Sequence, residues 1–220
     1  MNHSKPVKTP WPTKAAMSQV YEQNLWGGDK TEFFSGEGSH QGEIVNPYIE
    51  VLSSFLISFE NPLTVCDLGC GDFNVGKNLV KFTKKYIAID IVKELIDFNR
   101  IKFTEEKLEF HCLDLANDNL PVGDCAILRQ VLQHLSNAEV FRILNNLRNF
   151  KSIILTEHIP VGDFIVNKDI ISGQGTRLKK QSGLILTAPP FNFKVKDEKE
   201  LLSIVLKDGK SKIVTTLFEI

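Results

Sequence analysis

The chain has 220 residues with a formal net charge of -1, and 42% of its side chains are apolar and 24% charged. At this length a single domain can bury roughly 70% of the surface its unfolded form exposes, so neither disulfides nor structural metal are required. The near-neutral charge with scattered lysines leaves no electrostatic footprint for nucleic acid, and no run approaches the roughly 18 apolar residues of a membrane span.

Residues 1–12, "MNHSKPVKTPWP", carry three prolines and no apolar signal-peptide core, and read as a flexible lead-in to a cytoplasmic protein. Residues 13–62 form a second region. Within it "AAMSQVYEQNLW" has helical texture, "GGDKTEFFSGEGSHQG" places five glycines among polar residues as an ordered loop would, and "NPYIEVLSSFLISF" has apolar residues at helical spacing with Pro47 near its start. From Leu63 strands and helices alternate: "LTVCDLG", "VGKNLVKFT", "KYIAIDI", "VKELIDFNRIKF", "LEFHCLDL", "CAILRQVL", "NAEVFRILNNLRNF" and "SIILTEHI". That alternation predicts an α/β core with a parallel sheet covered on both faces. A long insertion at about 160–193 stands where another helix is expected. "ELLSIVLKD" and "KIVTTLFEI" then follow with only "GKS" between them, too short for a helical crossover, so they are expected to pair as an antiparallel hairpin. Cys66, Cys70, Cys112 and Cys125 lie in or beside apolar strands without the spacing of a zinc site, and read as reduced core residues.

"CDLGCGDFNVG" (66–76) sits where a buried strand turns into the next element, a place where glycine lets the backbone approach a ligand closely. A dinucleotide site asks for G-x-G-x-x-G, but Asn74 occupies the third position. Asp67, two residues before Gly69, is unfavourable beside a pyrophosphate and favourable beside a cation. S-adenosylmethionine is such a ligand, since it carries a sulfonium and an ammonium. Asp90 ends the second strand about twenty residues on, where a carboxylate can accept from both ribose hydroxyls; this suits NAD equally. Asp114 ends the third strand, placed to accept from an adenine amino group while Leu115 packs on the ring, which favours the methyl donor.

"VCDLGCGDF", "YIAIDI", "CLDLA" and "AILRQVLQHL" together resemble the successive motifs of the class I S-adenosylmethionine-dependent methyltransferases, over roughly Leu63 to Ile159. The family's D-x-G-x-G-x-G is met by Asp67, Gly69 and Gly71, while Phe73 replaces the last glycine. The resemblance implies a Rossmann-like doubly wound sheet, mostly parallel with an antiparallel C-terminal hairpin. It implies that Gly69 and Gly71 approach the methionine part, that Asp90 holds the ribose, and that Asp114 with Leu115 flanks the adenine, with Ile91 a further cofactor candidate. Arg129 and Gln130, after the fourth strand, are further cofactor candidates. The loop before the core resembles the lid of many small-molecule methyltransferases, with Trp26, Ser35, Gly36, Gly38 and Ser39 as cofactor contacts. There, amides and hydroxyls suit a carboxylate, and Tyr21 or Trp26 suits the sulfonium face.

A small-molecule acceptor is expected, with O-methylation favoured over N-methylation. Tyr21 and Arg177 are the substrate candidates, Arg177 as an anion contact supplied by the insertion. His134 and His158, near the carboxyl ends of strands, are the candidate bases, because imidazole titrates near neutrality. No carboxylate or histidine cluster argues for a metal, and the N-P-P-Y tetrad of amino-directed DNA methyltransferases is absent. Two other readings remain: a binding protein that keeps the cofactor without catalysis, which turnover would exclude, and an NAD-dependent oxidoreductase, which calorimetry with both cofactors would separate.

Overall fold

The computed structural model describes residues 11–28 and 32–220, so most of the lead-in at 1–12 lies outside the described residues. Five parallel strands, β1 (Thr64–Leu68), β2 (Lys85–Asp90), β3 (Leu108–Cys112), β4 (Cys125–Arg129) and β5 (Ser152–Pro160), form most of the main sheet. Two short strands, β6 (Ile165–Val166) and β7 (Ser182–Gly183), pair within the insertion, and β8 (Asp197–Val205) and β9 (Ser211–Glu219) form the predicted hairpin. The main sheet runs β3-β2-β1-β4-β5-β9-β8, with β9 antiparallel to β5. The strand order therefore reverses between β1 and β4, where an open α/β sheet leaves a crevice for ligand.

Period-two alternation divides the core. Cys66 and Leu68 of β1 face α4 (Asn137–Leu147), while Val65 packs with Leu52 and Leu56 of α2 (Gly42–Ile57) and Ile96 of α3 (Lys93–Lys102) on the opposite face. Helix α4 follows directly from its sequence. Val140, Ile143, Leu144 and Leu147 recur at helical spacing, and Ser136 with Glu139 forms a capping box worth about 1 kcal/mol. Glu139 also accepts from Thr13, at the start of α1 (Thr13–Glu22), and from Ser172 in the insertion, so one carboxylate ties three segments together.

Two local expectations fail. "VGKNLVKFT" forms two 3-10 turns, Gly76–Asn78 and Val80–Phe82, instead of an α-helix. The Asn78 amide donates to the carbonyls of Asn74 and Val75, and Thr83 Oγ1 to that of Val80, taking acceptors a helix would need. Helix α2 begins at Gly42, ahead of Pro47, which lies inside it and forgoes one helical hydrogen bond. No described helix is long and apolar enough to cross a membrane.

Candidate active site

A cavity of about 390 Å³ opens at the carboxyl ends of β1, β2, β4 and β5, within the size range of small-molecule sites. Every candidate residue named from the sequence lines it except Arg177.

The glycine turn builds the floor. Gly71 has φ +57°, and a Cβ there would stand 2.3 Å from Ser35 Oγ, so this position needs glycine both for its conformation and for the approach of the lid. The Gly71 amide donates to Asp90 Oδ2 at 3.1 Å, and the Val92 amide to Asp90 Oδ1 at 3.1 Å. From α3, Asn99 Nδ2 donates to the Gly71 carbonyl at 2.8 Å. Burial raises the Asp90 carboxyl above its ordinary value, and the Val92 and Gly71 amides oppose that rise. Asp67 accepts from the Tyr86 hydroxyl at 2.9 Å, and burial pushes its carboxyl up to about 7 against the pull of Tyr86 and Arg129.

Phe73 occupies the last glycine position of the motif and still adopts the left-handed conformation, at φ +62°. That conformation costs a non-glycine residue roughly 1–2 kcal/mol. The ring offsets it by full burial edge-on against Tyr86, Phe103 and Phe110, at centroid distances of 5.7, 5.1 and 5.0 Å. Gly76 makes room for it, since a Cβ there would come within 2.4 Å of the Phe73 ring.

The lid is docked on this turn by a residue the sequence reading did not single out. Asp72 Oδ2 accepts from the Ser35 amide at 2.7 Å and contacts His40 Nε2 at 2.6 Å, while Ser35 Oγ accepts from the Asp72 amide at 2.8 Å. Tyr21 OH lies 3.0 Å from Ser35 Oγ, and Phe34 stacks on the His40 ring at 4.3 Å. Asn74 Nδ2 donates to the Ser39 carbonyl, and Arg129 donates to the Gly38 carbonyl and to Ser39 Oγ. The partners of Asp72 lie more than thirty positions upstream. The only local signal was its place beside Gly71.

Asp114 stands in the wall with Leu115 and Ile91, and its carboxylate also caps its own turn through the Ala116 amide and Asn117 Nδ2. Two buried donors in the wall, Arg129 Nε and Gln130 Nε2, have no partner among the described residues. A ligand that brings a carboxylate to Gln130 and hydroxyls to the carboxylate of Asp90 fits this donor and acceptor set.

At the far end the two histidines differ. His134 is buried with its Nδ1 donating to the Gly173 carbonyl at 3.2 Å. Gln133 Oε1 accepts from the His158 amide at 3.2 Å, so the other end of its amide faces His134 Nε2 at 3.3 Å and donates to it. Both ring nitrogens are thus occupied, and burial pushes the His134 pKa down to about 4. His158 is less buried; its Nε2 lies 2.8 Å from Ser211 Oγ, and burial lowers its pKa while Asp208 raises it. Trp26 lies 5.2 Å from the His134 ring and 5.5 Å from Tyr21, joining the lid to this end.

Arg177 is corrected. It is 1% exposed, and its guanidinium donates to the carbonyls of Leu132 and Leu135 and to Asn137 Oδ1. It fastens the insertion to the turn before α4 and is not available as an anion contact in the cavity.

The sequence profile of the methyltransferase domain family matches residues 66–149. No curated protein matches the sequence significantly. Among solved structures, human N-acetylserotonin methyltransferase in complex with S-adenosylmethionine is 19% identical with a TM-score of 0.55, covering 82% of this chain and 54% of that one. N-methyltransferase NodS from Bradyrhizobium japonicum, in complex with S-adenosyl-L-homocysteine, is 10% identical with a TM-score of 0.63, covering 93% and 98%. Magnesium protoporphyrin IX methyltransferase from Synechocystis, with bound S-adenosylmethionine, is 14% identical with a TM-score of 0.57, covering 97% and 100%. The chain thus spans about half the length of the human enzyme and nearly all of the other two. Residues 66–149 thus carry a methyltransferase domain, on the fold shared by the S-adenosylmethionine-dependent methyltransferases. The fold expected from the alternating strands and helices holds, and the family match spans the glycine turn and the strand-end acids from which the cofactor was read.

Proposed function

We propose that the protein methylates a hydroxyl group of a small molecule, with His158 as the base. The observation that carries this reading is a half-buried imidazole in the wall of the cavity that the glycine turn also lines, with burial lowering its pKa. Such a group is neutral near pH 7 and able to take a proton. Two structural neighbours, N-acetylserotonin methyltransferase and magnesium protoporphyrin IX methyltransferase, support a small-molecule acceptor.

When bound, S-adenosylmethionine supplies an electrophilic methyl group on a sulfonium. The residues of this chain do the rest. Asp90 receives the ribose hydroxyls, Ile91, Asp114 and Leu115 flank the adenine, and Gln130 with the Ser35–Ser39 segment and Arg129 receives the methionine carboxylate. Gly69 and Gly71 allow close approach, and Asp67 gains its charge as a cation settles beside it, because a nearby positive charge lowers a carboxyl pKa. Trp26 and Tyr21 cover the sulfonium side and exclude water. His158 would take the acceptor proton as the methyl group passes from sulfur to the acceptor oxygen, the S–C bond breaking as the O–C bond forms and leaving a neutral thioether.

The test is methyl transfer from radiolabelled S-adenosylmethionine to a panel of phenols, sugars and amines. Calorimetry with S-adenosylhomocysteine and NAD runs in parallel. Hydroxyl acceptors should turn over, and His158→Gln should slow transfer by about 10²-fold or more at unchanged S-adenosylhomocysteine affinity. Turnover of amines alone, at a rate indifferent to His158→Gln, would replace this reading with base-free N-methylation.

A further inference from the structure

We propose that Ser211, on the terminal hairpin, is a positioning residue that fixes the tautomer of His158, leaving Nδ1 as the proton acceptor on the cavity side. The inference rests on the reading of His158 as base and adds the residue that makes it one. In the β5–β9 register Pro160 stands opposite Ser211 and His158 opposite Ile213, so His158 and Ser211 are diagonal neighbours across an antiparallel pair. Their side chains meet at 2.8 Å through Nε2 and Oγ. Ser211 is buried, and His158 is the one hydrogen-bond partner of its hydroxyl among the described residues.

The strand on each side is held in place. The Leu206 amide donates to the Ser211 carbonyl at 2.9 Å, the Val161 amide to the Lys210 carbonyl at 2.9 Å, and the His158 amide to Gln133 Oε1. The hydroxyl is therefore presented by a rigid sheet, which sets a ring more tightly than a loop can.

Neutral imidazole prefers its proton on Nε2, and in the proposed arrangement the Ser211 oxygen, 2.8 Å away, accepts that proton. The lone pair then sits on Nδ1, which has no protein partner among the described residues and belongs to a ring in the cavity wall. His134 shows the opposite arrangement, with Nδ1 protonated toward Gly173 and Nε2 already accepting from Gln133. One histidine is closed by its neighbours and the other is held open.

The experiment is long-range nitrogen-15 NMR of the histidine rings in the full chain near pH 7.5, with S-adenosylhomocysteine present. It needs no acceptor and no turnover, so it separates this proposal from the reading of the reaction. In the wild type, His158 should show one dominant tautomer protonated at Nε2. In Ser211→Ala the tautomer ratio should fall about fivefold, the worth of one ordinary hydrogen bond, and Ser211→Thr should restore it. Circular dichroism and the unchanged His134 signals report that the variants are folded. An Nδ1-protonated His158 in the wild type, or the same tautomer ratio in folded Ser211→Ala, overturns the proposal. If Ser211→Ala does not fold, the wild-type tautomer and that of Ser211→Thr decide it.

Discussion

At the cofactor end of the cavity the carboxylates of Asp72 and Asp90 gather backbone amides from the glycine turn and the lid, whereas the acceptor end is lined by Gln133, His134 and His158, side chains without formal charge near pH 7. Under the proposed function the difference follows the ligands. A sulfonium nucleoside rewards fixed negative charge and hydroxyl acceptors, while a base has to stay neutral until it receives a proton. Beneath the acceptor end, one acid and one base are kept out of the cavity. Glu157, on the other face of β5, is buried with both oxygens unpartnered, near the buried Arg177.

Three changes test this contrast, and the largest effect lies at the acceptor end. Burial raises the Glu157 pKa to about 8, with Arg177 and the Leu132 and Gln133 amides pulling the other way. The folded state therefore keeps a proton that the unfolded chain releases near its ordinary carboxyl pKa. Below that value the contribution of Glu157 is fully present, and it is lost as pH rises toward 8. Glu157→Gln should match the wild type in melting experiments near pH 4.5. Its advantage should grow with pH to an order of a few kcal/mol at pH 8. A pH-independent difference would mean that Glu157 is ionised in the folded protein, as a carboxylate beside Arg177.

Asp90→Ala addresses the cofactor end. It should weaken S-adenosylhomocysteine binding by about 1.5–3 kcal/mol in calorimetry, the scale for hydrogen bonds to a charged group, with circular dichroism unchanged. Equal affinity would take Asp90 out of the site. Asp72→Ala has the smallest expected effect. It removes the acceptor for the Ser35 amide and the contact with His40, so amide exchange over Ser35–Gln41 should quicken about tenfold while the acceptor-end histidines keep their chemical shifts. Protection unchanged in the lid would show that Asn74 and Arg129 suffice to dock it.

The sheet, its hairpin and the glycine turn were legible because they are written locally, in period-two apolar runs, a three-residue "GKS" connection and glycines at a strand end. What remained hidden depended on distant partners. Arg177 lies in the basic run "RLKK" and reads as a free cation, yet three acceptors around 132–137 draw it inside. Asp72 drew no reading of its own, because its partners Ser35 and His40 lie more than thirty positions upstream. The helix expected after the turn failed because Asn78 and Thr83 compete for its carbonyls, a side-chain effect that apolar spacing does not carry. The two histidines are equivalent at the level of sequence, and their hydrogen bonds distinguish them.

Phe73 gives the glycine turn a property that a third glycine would withhold. Its ring belongs to the same apolar cluster as Tyr86, Phe110 and Leu52, so the turn cannot lift without pulling an aromatic group out of the core. The amides around Gly71 are thereby enrolled in the cooperative unit of the sheet, whereas the lid is fastened to that turn through the polar contacts of Asp72, Asn74 and Arg129.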